Sequence, residues 1–186
     1  MMKRFAALEI FIATLAVSCA CRAEVPEQIS APLAVFDSYC LTASPDFGAI
    51  DRRATAAEYQ MFQERNTPFG PGQSLRQKNW LIPLPSGAIS LSAEEGFNAA
   101  LHVVVCGISI RNVDGAEVEA ALSADPRLGV PVKRTPDTSG KGSSIAWLAR
   151  LGAAVPAEDS QVLMVRDAPG LPSVIVNFIF RTRSDR

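Results

Sequence analysis

The positions of the four cysteines constrain the fold of this chain most, because only two of them lie outside an apolar leader. Cys19 and Cys21 stand at the end of that leader, whereas Cys40 and Cys106 belong to the body of the chain. An exported protein with two body cysteines is expected to join them in one disulfide, since compartments outside the cytoplasm are oxidising. That bond would close a loop of about 65 residues and stabilise the fold by roughly 4 kcal/mol on the chain-entropy model. The alternative is a pair of buried thiols that pack as small hydrophobes.

The leader has the three parts of a secretory signal peptide. Lys3 and Arg4 give it a positive start, residues 5–21 are almost entirely apolar, and Cys21-Arg22-Ala23 has the small-x-small pattern of a cleavage site. The sequence therefore predicts a protein that is released into the periplasm or secreted after cleavage behind Ala23. The predicted organisation is a signal peptide over residues 1–23, a flexible start over 24–30 and a single domain over 31–183.

A lipid anchor is an alternative to simple release. Cys19 and Cys21 both follow small residues at the end of the apolar run, which is similar to a degenerate bacterial lipoprotein box. Processing before either cysteine would leave a membrane-tethered lipoprotein. A second membrane span is not expected, because the sequence after residue 23 contains no apolar run of the ~18 residues that a span needs.

Composition excludes one class of partner. The formal net charge is only −1, and 20% of the residues are charged. So mild a balance gives no electrostatic basis for binding nucleic acid. The expected partner is an envelope protein or a small ligand. The hydrophobic fraction of 48% is large enough for the chain to build a core.

Helical periodicity appears in three segments. Leu33, Phe36 and Cys40 share one stripe of a first helix, and Phe47 to Met61 repeats apolar residues every three or four positions in a second. A third helix is predicted from Asp114, which can act as N-cap, to Ser123. Two amphipathic helices near the start need a surface to cover.

The remaining chain favours strands. Residues 66–74 contain two prolines and two glycines and are expected to form a loop, and residues 97–110 are expected to form a central strand. Further predicted strands cover 79–84, 87–92, 128–135, 145–151, 160–167 and 172–182, although 145–151 also fits a short helix. The predicted class is α+β, with two N-terminal helices packed on a largely antiparallel sheet and one further helix inserted between strands.

His102 is the only histidine and the one candidate for catalysis. It lies an even number of residues from Cys106 on the predicted strand, so both side chains should point toward the face that the helices cover. It would act as a general base if Glu94, Glu95 or Asp114 oriented it, although a structural histidine satisfies the same pattern. A single histidine without paired cysteines predicts no metal site.

Other segments partly match known functional motifs but lack residues that those motifs require. Ser139–Ser144 lacks the Ser or Thr that must follow the lysine of a phosphate-binding loop, and Gly70-Pro71-Gly72 lacks the third glycine of a dinucleotide turn. No G-x-S-x-G elbow occurs. The adjacent carboxylates Glu94 and Glu95 are expected to be solvated, and the basic pairs at 52–53 and 133–134 and the basic residues at 181, 183 and 186 to be separate surface charges. No cofactor is predicted.

The segment around Cys40 resembles a known kind of protein. Phe36-Asp37-Ser38-Tyr39-Cys40-Leu41-Thr42, followed by Pro45-Asp46-Phe47 and a helix with Ala54 and Ala57, is similar to the start of small exported proteobacterial proteins of unknown function. The resemblance implies a bacterial envelope location and a strand-rich second half. It implies no activity.

The sequence thus favours a non-enzymatic binding or interaction domain over an enzyme. Recognition is expected through the sheet or through residues 66–78. One alternative is a hydrolase-like enzyme that uses His102 with a nearby carboxylate, and another is a lipid-anchored structural protein of the envelope.

Overall fold

The structure is a computed structural model that describes residues 25–42, 45–97, 101–135, 142–151, 160–166 and 173–183. The predicted signal peptide, the two candidate lipidation sites Cys19 and Cys21, and residues 139–141 of the rejected phosphate loop lie outside these ranges. None of the described helices is long and apolar enough to cross a membrane.

The described residues form three helices and eight strands, and all the strands join in one antiparallel sheet. The helices are α1 (Glu27–Tyr39), α2 (Phe47–Ala56) and α3 (Gly115–Ser123). The strands are β1 (Gln60–Gly70), β2 (Gln73–Ile82), β3 (Ile89–Phe97), β4 (Leu101–Arg111), β5 (Lys133–Thr135), β6 (Ser143–Leu148), β7 (Ser160–Arg166) and β8 (Ser173–Arg183). Their order across the sheet is β1-β2-β3-β4-β8-β7-β6-β5, so β4 is a central strand, as its β-branched sequence predicts.

The predicted α+β class, with a packed pair of N-terminal helices, is wrong. The described residues form mostly a single eight-stranded antiparallel sheet, and 50% of them lie in strands and 24% in helices. The described helices are short, and they contact different strands: α1 lies against β4, α2 against β3 and α3 against β8. The sequence-based prediction overestimated the helix content because it extended the second helix to Met61, five residues beyond the end of α2, and placed no strand at β1.

The β1–β2 hairpin begins where the end of a longer helix and a loop over residues 66–74 were expected, and the strand predicted over 79–84 overlaps only the end of β2. Glu58 adopts a positive φ of 57°, a left-handed conformation that ends a helix, and β1 begins two residues later. Pro71 and Gly72 form the tight turn, with Gly72 also left-handed at φ 69°. Because β1 is an edge strand with mostly polar residues, its sequence lacks the alternation that marks a half-buried strand.

Later elements follow the predictions more closely. Residues 79–84 and 87–92 overlap two paired strands, β2 and β3, and 145–151 overlaps a strand, β6, rather than a helix. The Asp114 side chain accepts a hydrogen bond from the Ala116 amide at 2.8 Å and so caps α3. Of the strand predicted over 128–135, only β5 forms.

The two faces of the sheet differ in what covers them. We name the helix face by Trp80, Leu91 and Cys106, and the opposite face by Leu81, Ser90 and Ser109; cross-strand partners share a face. The disulfide between Cys40 and Cys106 fastens α1 to the helix face and confirms the predicted pairing.

The other two helices are fastened to the same face by ion pairs. Lys78 Nζ on β2 lies 2.8 Å from Asp51 Oδ2 on α2, and this bond raises the pKa of Lys78. Arg134 Nη2 on β5 lies 2.6 Å from Glu119 Oε1 on α3. The helix face therefore holds the core, whose largest fully buried side chains include Trp80, Trp147, Phe36 and Phe178.

Candidate functional site

The first polar cluster surrounds Glu95 on the helix face. Strand β3 places this carboxylate among apolar neighbours, and only 5% of the residue is exposed. Its Oε1 lies 3.0 Å from His102 Nε2, and its Oε2 accepts a hydrogen bond from Arg76 Nε at 3.1 Å. The Arg76 Nη2 donates to the same oxygen. Both oxygens are thus satisfied, which offsets the cost of burying a charge.

Aromatic rings and a hydroxyl complete this cluster. Phe97 stacks on the His102 ring with 4.4 Å between centroids, because the two residues are cross-strand partners. Thr182 Oγ1 lies 3.4 Å from His102 Nδ1. The Arg76 guanidinium lies 4.6 Å from the centre of the Phe47 ring, which links the cluster to α2.

The cluster has the order carboxylate, imidazole, hydroxyl. When Nε2 carries the proton and donates a hydrogen bond to Glu95 Oε1, Nδ1 can accept a hydrogen bond from the Thr182 hydroxyl, which is the arrangement of a general base. Of the three predicted orienting groups, the structure brings only Glu95 to His102. Glu94 lies on the opposite face, and Asp114 caps α3 beyond the far end of β4.

A cavity opens on the opposite face, at the end of the sheet where β3 begins and β4 ends. Its volume is about 330 Å³, at the lower end of the roughly 300–1,000 Å³ typical of small-molecule sites. Its lining residues are Gln60, Phe62, Leu81, Ala88, Ile89, Ser90, Ser109 and Arg111. Sequence reasoning missed this site.

A β-bulge supplies the apolar wall of the cavity. Met61 pairs with Trp80 and Gln63 with Asn79, so Phe62 is an extra residue between two regular pairs. Bulges turn side chains out of the regular alternation. Phe62 is 55% exposed and Leu81, on the neighbouring strand, is 40% exposed, and both line the cavity.

Apart from the Gln60 amide on β1, the polar side chains that line the cavity are one cation and two hydroxyls, on β3 and β4. Ser90 and Ser109 are cross-strand partners, which places their Cβ atoms about 5 Å apart. Arg111 follows Ser109 on the same face and is the only charged residue among those that line the cavity. Within the described ranges, no side chain forms an ion pair or hydrogen bond with Arg111, Ser90 or Ser109.

The two sites are separate. His102 and Ser109 are seven residues apart on β4, which corresponds to about 24 Å at ~3.4 Å per residue. They also lie on opposite faces, because seven is an odd number of residues along a strand. A ligand in the cavity is therefore out of reach of the imidazole.

Glu94 is a titratable group on the opposite face, and its carboxyl is partly buried. It projects beside Val105, its partner on β4, and desolvation raises the pKa of its carboxyl. Among the described residues it has no ion-pair partner.

The remaining sequence candidates do not converge. Arg134 is engaged by Glu119, Arg53 Nη1 donates to the Ser38 carbonyl at 2.7 Å, and Arg52 is a surface residue 4.0 Å from Asp46. The Gly70-Pro71-Gly72 segment is part of the β1–β2 hairpin. No group of three or more potential ligand residues that could hold a metal occurs among the described residues.

Comparison of the chain with protein-family models, with curated proteins and with solved structures found no match.

Proposed function

We propose that this protein is exported from the cytoplasm and binds a small ligand or an envelope component through the opposite face of its sheet, without catalysing a reaction. The single observation that supports binding there is the separation of the two faces. The disulfide and two ion pairs fasten α1, α2 and α3 to the helix face, whereas the cavity opens on the other side.

Two features support export. Residues 1–23 have the pattern of a secretory leader, and the Cys40–Cys106 disulfide is compatible with an oxidising compartment. Fractionation of the source cells, followed by intact-mass measurement without reductant, tests this part. We expect a mature chain that begins near Glu24, in the extracytoplasmic fraction, with two hydrogens fewer than the reduced mass. A cytoplasmic chain with both thiols free would overturn it. An acyl mass on Cys19 or Cys21 would instead identify the lipid-anchored alternative.

The second candidate function is hydrolysis with His102 as general base. The contact of 3.0 Å between His102 Nε2 and Glu95 Oε1 and the approach of the Thr182 hydroxyl to Nδ1 favour it. Two observations argue against it. Arg76 bonds to Glu95 and Phe97 stacks on the His102 ring, so protein side chains contact both groups, and the cavity lies on the other face of the sheet.

Two chromosomal variants separate these functions. Arg111→Gln changes the cavity and His102→Asn changes the imidazole cluster, and each is compared with the loss-of-gene phenotype at matched protein levels. Binding through the opposite face predicts that Arg111→Gln reproduces the phenotype and that His102→Asn does not. The reverse result would overturn binding and favour the hydrolase.

A further inference from the structure

We infer that the cavity on the opposite face binds a small amphiphile with one anionic head and a short apolar tail. This inference rests on the proposed function and names the ligand class for the same site. It follows from the arrangement of charge, hydroxyls and apolar surface along the cavity.

The head-binding end is defined by Arg111. A guanidinium presents a planar set of donors that fits a carboxylate or a phosphate, and such charge-assisted bonds are the strong ones. No described acidic side chain neutralises this cation. Ser90 and Ser109 add two hydroxyl donors beside it, close enough together to reach the same anionic group.

The tail-binding end is defined by Leu81 and Phe62. From Arg111 on β4, the cavity crosses β3 and β2 and reaches the bulge on β1. Three inter-strand steps of ~4.8 Å give a length of about 14 Å. Phe62 and Leu81 are large apolar side chains that are exposed to water. Contact with an apolar ligand would remove this surface from water, which is energetically favourable. The order of the lining residues thus sets the ligand's direction, with the head on β4 and the tail toward β1.

Isothermal titration calorimetry on the oxidised mature chain tests this inference. The probes are octanoate, octyl phosphate, octanol and acetate. We expect octanoate, octyl phosphate or both to bind at least tenfold more tightly than octanol or acetate, because only they carry both a charge and a tail. The two anionic probes distinguish a carboxylate from a phosphate ligand.

Variants locate the binding. Arg111→Gln is expected to weaken binding of the anionic probe roughly 10- to 100-fold, since it removes a charge-assisted hydrogen bond. Leu81→Ala is expected to weaken it several-fold through lost tail contact. Arg65→Gln is the matched control, because Arg65 lies on β1 with its partner Gln77 on the opposite face but is outside the cavity lining, and it should stay within twofold of wild type.

Two outcomes overturn the inference. One is that neither anionic probe binds at millimolar concentration, and the other is that Arg111→Gln binds as tightly as wild type. Either failure is distinguishable from failure of the proposed function. That function fails when His102→Asn rather than Arg111→Gln gives the cellular phenotype, or when the chain is found reduced in the cytoplasm.

Discussion

The two faces of this sheet show how one set of strands can carry both a rigid core and an accessible binding surface. On the helix face, side chains such as Leu91 and Cys106 are fully buried, and a covalent bond holds α1 in place. On the opposite face, Ser90 and Ser109 of the same two strands line a cavity. Successive residues of a strand point to opposite sides, so each strand contributes to both surfaces. Changes on the helix face should therefore affect stability, and changes around the cavity should affect binding.

Removal of the disulfide should have the largest effect on stability. The Cys40–Cys106 bond joins residues 66 apart in sequence, and the chain-entropy model assigns a loop of that length roughly 4 kcal/mol. We expect the double variant Cys40→Ala/Cys106→Ala to lose about that much free energy of unfolding in urea titrations. A loss below about 1 kcal/mol would contradict the view that α1 is held mainly by this bond.

The next largest difference in stability is expected between leucine truncations on the two faces of the sheet. Leu91 is 0% exposed, so Leu91→Ala should lower the free energy of unfolding by about 2–5 kcal/mol. Leu81, 40% exposed on the cavity, is the matched control, and Leu81→Ala should cost less than about 1 kcal/mol. Equal losses in urea titrations would show that both faces contribute equally to the core.

Two glycines of the opposite face should respond differently to a methyl group. At Gly107 a Cβ would overlap the Asn177 side-chain oxygen and lie 2.9 Å from the Val176 carbonyl oxygen, so Gly107→Ala should cost about 1–3 kcal/mol. At Gly96 the nearest atom is Leu75 Cδ1 at 3.8 Å, an ordinary contact. Gly96→Ala should be neutral or stabilise by up to about 1 kcal/mol. Thermal unfolding of both variants checks this, and a stable Gly107→Ala would show that Val176 and Asn177 can move.

The smallest effect is expected at Glu94 and depends on pH. Burial raises the pKa of the folded carboxyl above the unfolded value of about 4.3, so the folded state binds the proton more tightly. The free energy of unfolding should therefore fall as pH rises from about 4.3 through the folded pKa. Glu94→Gln removes this fall, so it should be more stable than wild type at pH 7 and equally stable below pH ~4.

The neighbouring carboxylate provides the control for that measurement. Glu95 is bonded to Arg76 and His102, so Glu95→Gln should destabilise the protein at pH 7 by about 1–3 kcal/mol. Denaturant titrations at several pH values would contradict the distinction if Glu94→Gln lost stability as well.

The sequence allowed the core to be predicted better than the site. Cys106 lies in a β-branched run that favours a buried strand, and Cys40 lies on the predicted buried stripe of the first helix, so both the central strand and the disulfide could be inferred. Strand β1 could not, because most of its residues are polar and they show no alternation. The error in fold class follows from that missing strand and from the expected pairing of the first two helices, which contact different strands.

The cavity depends on information that is not local in sequence. Ser90 and Ser109 become neighbours only through the register of β3 and β4, and Phe62 turns outward only because of a bulge. The contact between His102 and Glu95 was one of three possibilities from spacing alone. Pairing of β3 with β4 selects it, since that pairing places the two side chains on the helix face.

The most direct measurement is a chemical-shift map of the ¹⁵N-labelled, oxidised mature protein titrated with octanoate. Binding at the cavity predicts that amide shifts concentrate at residues 60–62, 81, 88–90 and 109–111, with Glu95 and His102 unchanged. Shifts centred on residues 95, 97 and 102 would contradict it, because they would place recognition at the imidazole cluster on the helix face.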